Sequence, residues 1–191
     1  MRHTDVDLDA IEAMLDDLPA LLEGEQLFRE VVVERADPHA GADKVTLTLG
    51  ALLDAMDTAA YHGTQEARLA AARARLAAMR DTLPEPYAQT VRRELRSALN
   101  DWRALADDLE DEVEDVADAW AYAIQNRSRA ERLLAEAAGH GLKDGGAGVA
   151  IAGLDRRIRP LVAAAAFQGP PAEHERYPRE GWWWLWSAPK D

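Results

Sequence analysis

The sequence predicts a mainly α fold, a helical bundle that includes a long helical hairpin or arm. Three observations carry that expectation. Alanine is the commonest residue, residues 87–138 contain neither glycine nor proline, and apolar side chains recur at spacings of three and four along most of the chain. One stretch, residues 27–49, departs from this pattern and predicts a small β-hairpin.

With 191 residues, 48% of them hydrophobic, the chain can bury the core of an ordinary domain without a metal or a cross-link. It has no cysteine, which excludes disulfides, thiolate metal sites and a cysteine nucleophile. Against 22 Lys+Arg stand 35 Asp+Glu, for a net charge of −13. All the bases except Lys44, Lys143 and Lys190 are arginine. The charge is unevenly spread: residues 1–63 and 104–139 are strongly acidic, and residues 64–103 are net basic.

Four segments follow in order: 1–63, 64–138, 139–171 and 172–191. The first opens on Met1-Arg2-His3-Thr4-Asp5 and runs directly into an acidic helical pattern, so no secretory signal is expected. The longest uncharged stretch, residues 160–172, falls short of the roughly 20 apolar residues that span a bilayer. The expectation is a soluble, cytoplasmic protein. Val6, Leu8, Ile11, Leu15, Leu18 and Leu22 define the first helix, with Thr4 or Asp5 as N-cap and Gly24 as its stop. Pro19 inside that pattern predicts a kink or restart.

Residues 26–49 admit two readings. The β-branched run Val31-Val32-Val33 and the alternation Lys44-Val45-Thr46-Leu47-Thr48-Leu49 favour a hairpin. Val45, Leu49, Leu52, Leu53 and Met56 also fit helical spacing. From Ala51 to His62 the pattern is helical, and Gly63 ends it. Thr64 then caps a helix that stops before Pro84-Glu85-Pro86.

In residues 87–138, Val91, Leu95, Ala98, Leu99, Trp102, Leu105, Leu109, Val113, Val116, Trp120 and Ile124 form an apolar seam. The extra step of four between Leu109 and Val113 is a stutter of coiled-coil type. An unbroken helix over this stretch would be about 78 Å long, whereas a compact chain of this size has a radius of gyration of about 16 Å. The helix must therefore break, with Asn100-Asp101 or Asn126-Arg127-Ser128 as the expected sites, or project as an arm that needs a partner.

A glycine-rich stretch at 139–153 leads into an apolar helical segment with Pro160 near its middle. The chain then reaches Gly181-Trp182-Trp183-Trp184-Leu185-Trp186. Read as an extended strand, this tail puts Trp182, Trp184 and Trp186 on one face. Tryptophan at this density suits folding back on the helices, or adding a strand beside the hairpin, ahead of docking into a partner.

The residues chosen as protein contacts are the tail tryptophans Trp182, Trp183, Trp184 and Trp186, with Trp102, Leu109, Val113 and Trp120 of the seam. Arg92, Arg93 and Arg96 are candidates for anion or nucleic-acid contact, a role the net negative charge disfavours. Intramolecular pairing with the acidic helices is the simpler use of these arginines.

The acidic run from Asp107 to Asp118 reads first as a solvated face, and second as a stripe for a basic partner or a hard divalent cation. Within it, Glu112 and Asp115 have the E-x-x-D spacing of helical Mg²⁺ sites in all-α nucleotide pyrophosphohydrolases. The companion E-x-x-E is missing upstream, so the tetrapeptide amounts to no resemblance. The five histidines form no H-x-x-x-H or E-x-x-H pair. The glycine-rich stretch lacks a phosphate-binding pattern, and no serine stands in a nucleophile-elbow context.

The expected function is a non-catalytic interaction or scaffold protein, without cofactor, that self-associates or docks in a larger assembly. The alternatives are an Mg²⁺-dependent nucleotide phosphohydrolase and a helical subunit of a nucleic-acid-binding complex.

Overall fold

A computed structural model describes residues 8–33, 43–63, 65–113 and 116–190. In these the elements are α1 (Leu8–Glu23), β1 (Arg29–Val33), β2 (Asp43–Leu47), α2 (Leu49–His62), α3 (Glu66–Thr82), α4 (Pro84–Glu110), α5 (Val116–Gly139) and α6 (Ala147–Ile158). Short strands β3 (Val162–Ala164) and β4 (Ser187–Pro189) follow, joined through the short 3-10 helices Pro171–Arg176 and Trp183–Trp186. The fold is mainly α, with the hairpin in place: β1 and β2 pair antiparallel with Val31 opposite Val45. Val31, Val33 and Leu47 turn into the core, which is the period-2 burial of a strand with one face covered.

Helix α1 runs without interruption through Pro19, so the expected restart does not occur. Leu18, Leu21 and Leu22, all buried, anchor the helix on both sides of the ring, and this packing outweighs one lost hydrogen bond. The carbonyls after Pro19 are capped from a distance. Arg93 Nη1 donates to Gly24 O at 2.9 Å, and its Nη2 reaches Leu21 O at 3.4 Å. The expected caps Thr4, Asp5 and Thr64 lie outside the described residues.

The long unbroken stretch folds back as a hairpin of α4 and α5. Asp101 beside Asn126 and Tyr87 beside Glu136 show the two helices to be antiparallel. The break lies at neither expected site, since Asn100-Asp101 is inside α4 and Asn126-Arg127-Ser128 inside α5. It falls after Glu110, where Glu112 takes a left-handed φ of 52°. Asp111 N and Val113 N close the end on Asp107 O and Asp108 O. Repulsion among acids three and four apart weakens helix there, and the seam's stutter coincides with the turn.

Two cores result. The larger joins α1, the hairpin, α2, α3 and the first half of α4 to the end of α5 through Leu15, Leu47, Leu52, Tyr87 and Val91. The smaller surrounds Trp102, Trp120, Ile158 and Trp184. The tail closes it as a single-turn helix instead of the expected strand. Only the following Ser187–Pro189 is extended, and it pairs with β3 rather than with the β1–β2 hairpin.

Candidate binding sites

The tail tryptophans each lie against an arginine. Arg132 stands over Trp182 (4.7 Å), Arg159 over Trp183 (5.0 Å), Arg127 over Trp184 (3.9 Å) and Arg179 over Trp186 (4.4 Å). Trp102 packs on both Trp120 and Trp183. Trp102 Nε1 donates to Asp155 and Trp120 Nε1 to Ser187 O. Trp184 Nε1 donates to Ser128, and Trp186 Nε1 to Tyr177 O. Of the residues chosen as protein contacts, Trp102, Trp120 and Trp184 are buried within this chain, and Trp182, Trp183 and Trp186 half-buried. Cation–π contacts of this kind stabilise most where they are desolvated.

The basic zone is largely paired with α1, with α5 and with its own neighbours. Arg68 binds Asp9 and Glu12, Arg75 binds Asp16, and Arg80 binds Glu136. Of the candidate anion contacts, Arg92 pairs with Glu85, Arg93 caps α1, and Arg96 is exposed.

At the tip of the α4–α5 hairpin lies an open groove of about 780 Å³. Leu109, Val113, Val116 and Leu161 supply its apolar surface, with Asp108, Glu112 and Lys190 on its sides. Val113 is 48% exposed. Arg157 neutralises Asp107 and Glu110 at 2.8 and 2.7 Å and holds the Glu110 carboxyl below its usual range. Among the described residues Asp108, Asp111, Glu112 and Asp118 have no ion pair. Glu112 is therefore an exposed turn residue, and Asp115 lies outside the described residues. No three His, Cys, Asp or Glu side chains converge as a metal site among the described residues, and no described helix is long and apolar enough to cross a membrane.

A second cleft, of about 440 Å³, opens between the β1–β2 hairpin, α4 and α5. At its inner end Glu94 is buried, and it caps α2 from another helix: Oε1 accepts Leu49 N–H at 2.6 Å and Oε2 accepts Gly50 N–H at 2.8 Å. Thr48 Oγ1 takes the Ala51 N–H, so the start of α2 is satisfied. Burial pushes the Glu94 carboxyl up to about 7, against the pull of those two N–H groups. Nearer the mouth, Asp101 accepts from Asn126 Nδ2 at 2.9 Å, and burial raises its pKa as well. Arg129 lines the cleft, and Phe28 and Tyr122, 54% and 61% exposed, form its lips.

Sequence reasoning missed this cleft. Its signal was an acid on the apolar face of a helix: Glu94 follows Val91 by three and sits beside Leu95, a position where a charge needs a partner.

Comparison with protein-family models, with curated proteins and with solved structures finds no match to this chain.

Proposed function

We propose that this chain is a non-catalytic interaction protein whose docking face is the groove at the α4–α5 tip, and that its partner presents a basic, apolar segment. The observation that supports this is the pairing, in one place, of exposed Val113 and half-buried Leu109 with Asp108 and Glu112, which have no ion pair among the described residues. Apolar contact supplies affinity, and unpaired acidic charge selects a basic partner and speeds its encounter. The seam and the tryptophan tail contribute by holding the tip rigid, since their side chains pack on one another.

Fluorescence anisotropy with a labelled lysine–leucine amphipathic peptide, set against its glutamate–leucine counterpart, tests the proposal. Binding of the basic peptide alone, lost in Val113→Glu, is the expected result. Equal binding of both peptides, or binding untouched by Val113→Glu, would overturn it. Light scattering across a concentration series shows whether a second copy occupies the groove, since a dimer there dissociates in the same variant.

A further inference from the structure

The cleft between the hairpin, α4 and α5 is separate from the tip groove and has an electrostatic peculiarity. Among the described residues, two carboxyls have raised pKa values, Glu94 and Asp101, and both line this cleft. Glu12, Glu85, Glu110 and Asp144, by contrast, are lowered by an arginine or by N–H donors. Neither Glu94 nor Asp101 has an ion pair among the described residues.

The two acids differ in what they have left to offer. Both Glu94 oxygens already accept backbone N–H groups, and Arg129 lies at that end of the cleft. Asp101 is two helical turns along α4, about 10 Å away. One of its oxygens accepts from Asn126, and among the described residues the other has no hydrogen-bond donor. Tyr122 is one turn from Asn126 on α5, and Tyr122 and Phe28 line the same cleft as Asp101. A half-buried carboxylate without a counter-ion, beside exposed aromatic rings, is the arrangement that recognises an organic cation: charge pairs with charge, and ring faces cover the stem.

We propose that the outer end of this cleft binds a small organic amine, a primary ammonium or guanidinium carried on an apolar or aromatic stem. Asp101 is its counter-ion, Asn126 holds Asp101 in place, and Phe28 and Tyr122 close over the stem. The chain's net charge of −13 concentrates such cations near the surface.

Phenethylamine and phenylacetate share a ring and carry opposite charges, which makes them the probes for an NMR titration of the full chain near pH 7.5 at low salt. Saturable shifts of cleft amides with phenethylamine and none with phenylacetate are expected. Asp101→Asn should weaken the amine about tenfold or more, the worth of a charged hydrogen bond. Tyr122→Ala changes an exposed side chain and should weaken it several-fold, which keeps the proposal testable if Asp101→Asn unfolds. Phenylacetate binding as tightly as the amine would make Arg129 the anchor and overturn the proposal. So would unchanged amine affinity in a folded variant, or no saturable shift with either probe.

Discussion

The guanidinium carbon of Arg127 sits 3.9 Å above the centre of the Trp184 ring, and the same guanidinium binds Asp155 at 3.0 Å and Glu131 at 2.8 Å. Residues far apart in sequence thus meet on one side chain: the tail covers one face of Arg127, and α6 neutralises its edge. Asp155 also accepts the Trp102 indole N–H, which couples the cluster to α4. The tail is in consequence part of the second core.

Trp184→Ala should therefore destabilise the chain by about 3–5 kcal/mol, the usual cost of emptying a buried tryptophan site. Arg127→Ala should also destabilise the chain, because it leaves the half-buried Asp155 without its cation. In the double variant the losses should fall short of additive, since the two residues share a contact. Urea denaturation of the four proteins measures this. Strictly additive losses would mean that the ring and the guanidinium contribute independently.

Glu94 makes stability depend on pH in an unusual direction. Its carboxyl is raised to about 7 in the fold, against about 4.3 in an unfolded chain. Between these values the unfolded state has lost the proton and the folded state retains it, so stability falls as pH rises through the window. Glu94→Gln removes the titrating group while keeping one acceptor for the α2 N–H groups. Urea midpoints measured from pH 4.5 to 7.5 should show the wild type losing more stability than Glu94→Gln across that range. Parallel curves would exclude Glu94 as the source.

Gly50 tests how tightly α2 is seated. Helix propensity alone favours alanine over glycine by about 1 kcal/mol. A Cβ at Gly50, however, would meet Arg129 Cβ at 3.1 Å, Glu94 Oε2 at 3.3 Å and a Leu133 methyl at 3.3 Å. Two of these belong to α5, and the third is pinned by the Leu49 and Gly50 N–H groups, so none moves freely. Gly50→Ala should lower the thermal midpoint despite its better propensity. A rise would show that α5 yields to the added methyl.

What the sequence conveyed, and what it did not, follows from the range of each interaction. The hairpin was legible in the β-branched run Val31-Val32-Val33 and in the polar–apolar alternation from Lys44 to Leu49. The helices were legible because leucine and valine recur at helical spacing. Pro19 misled because its local cost is opposed by Leu18 and Leu22 packing against helices distant in sequence. The helix break misled because Asn100 and Asn126 are weak helix formers, whereas repulsion among Asp107, Asp108, Asp111 and Glu112 is a collective effect. The tail's turn and the cleft around Glu94 and Asp101 arise from contacts between distant elements. Neither leaves more in the sequence than an acid at a seam position and a run of tryptophans.

The break itself can be probed through Arg157. Asp107 and Glu110 occupy the last turn of α4, where the helix dipole disfavours negative charge and further acids stand close by. Arg157 on α6 spans both carboxylates and ties the end of α4 to the second core. These groups face solvent, so the pairing is weak and sensitive to salt. The lowered Glu110 pKa means that this contribution is present above the ordinary carboxylate range and is lost as pH falls through the folded value. Arg157→Ala should melt at a lower temperature than wild type near pH 7 in dilute buffer. The gap should narrow at about 1 M salt, where the screening length falls to about 3 Å, and again at low pH, where the carboxylates are protonated. A deficit of the same size under all three conditions would assign the effect to packing of the Arg157 stem instead of to its charge.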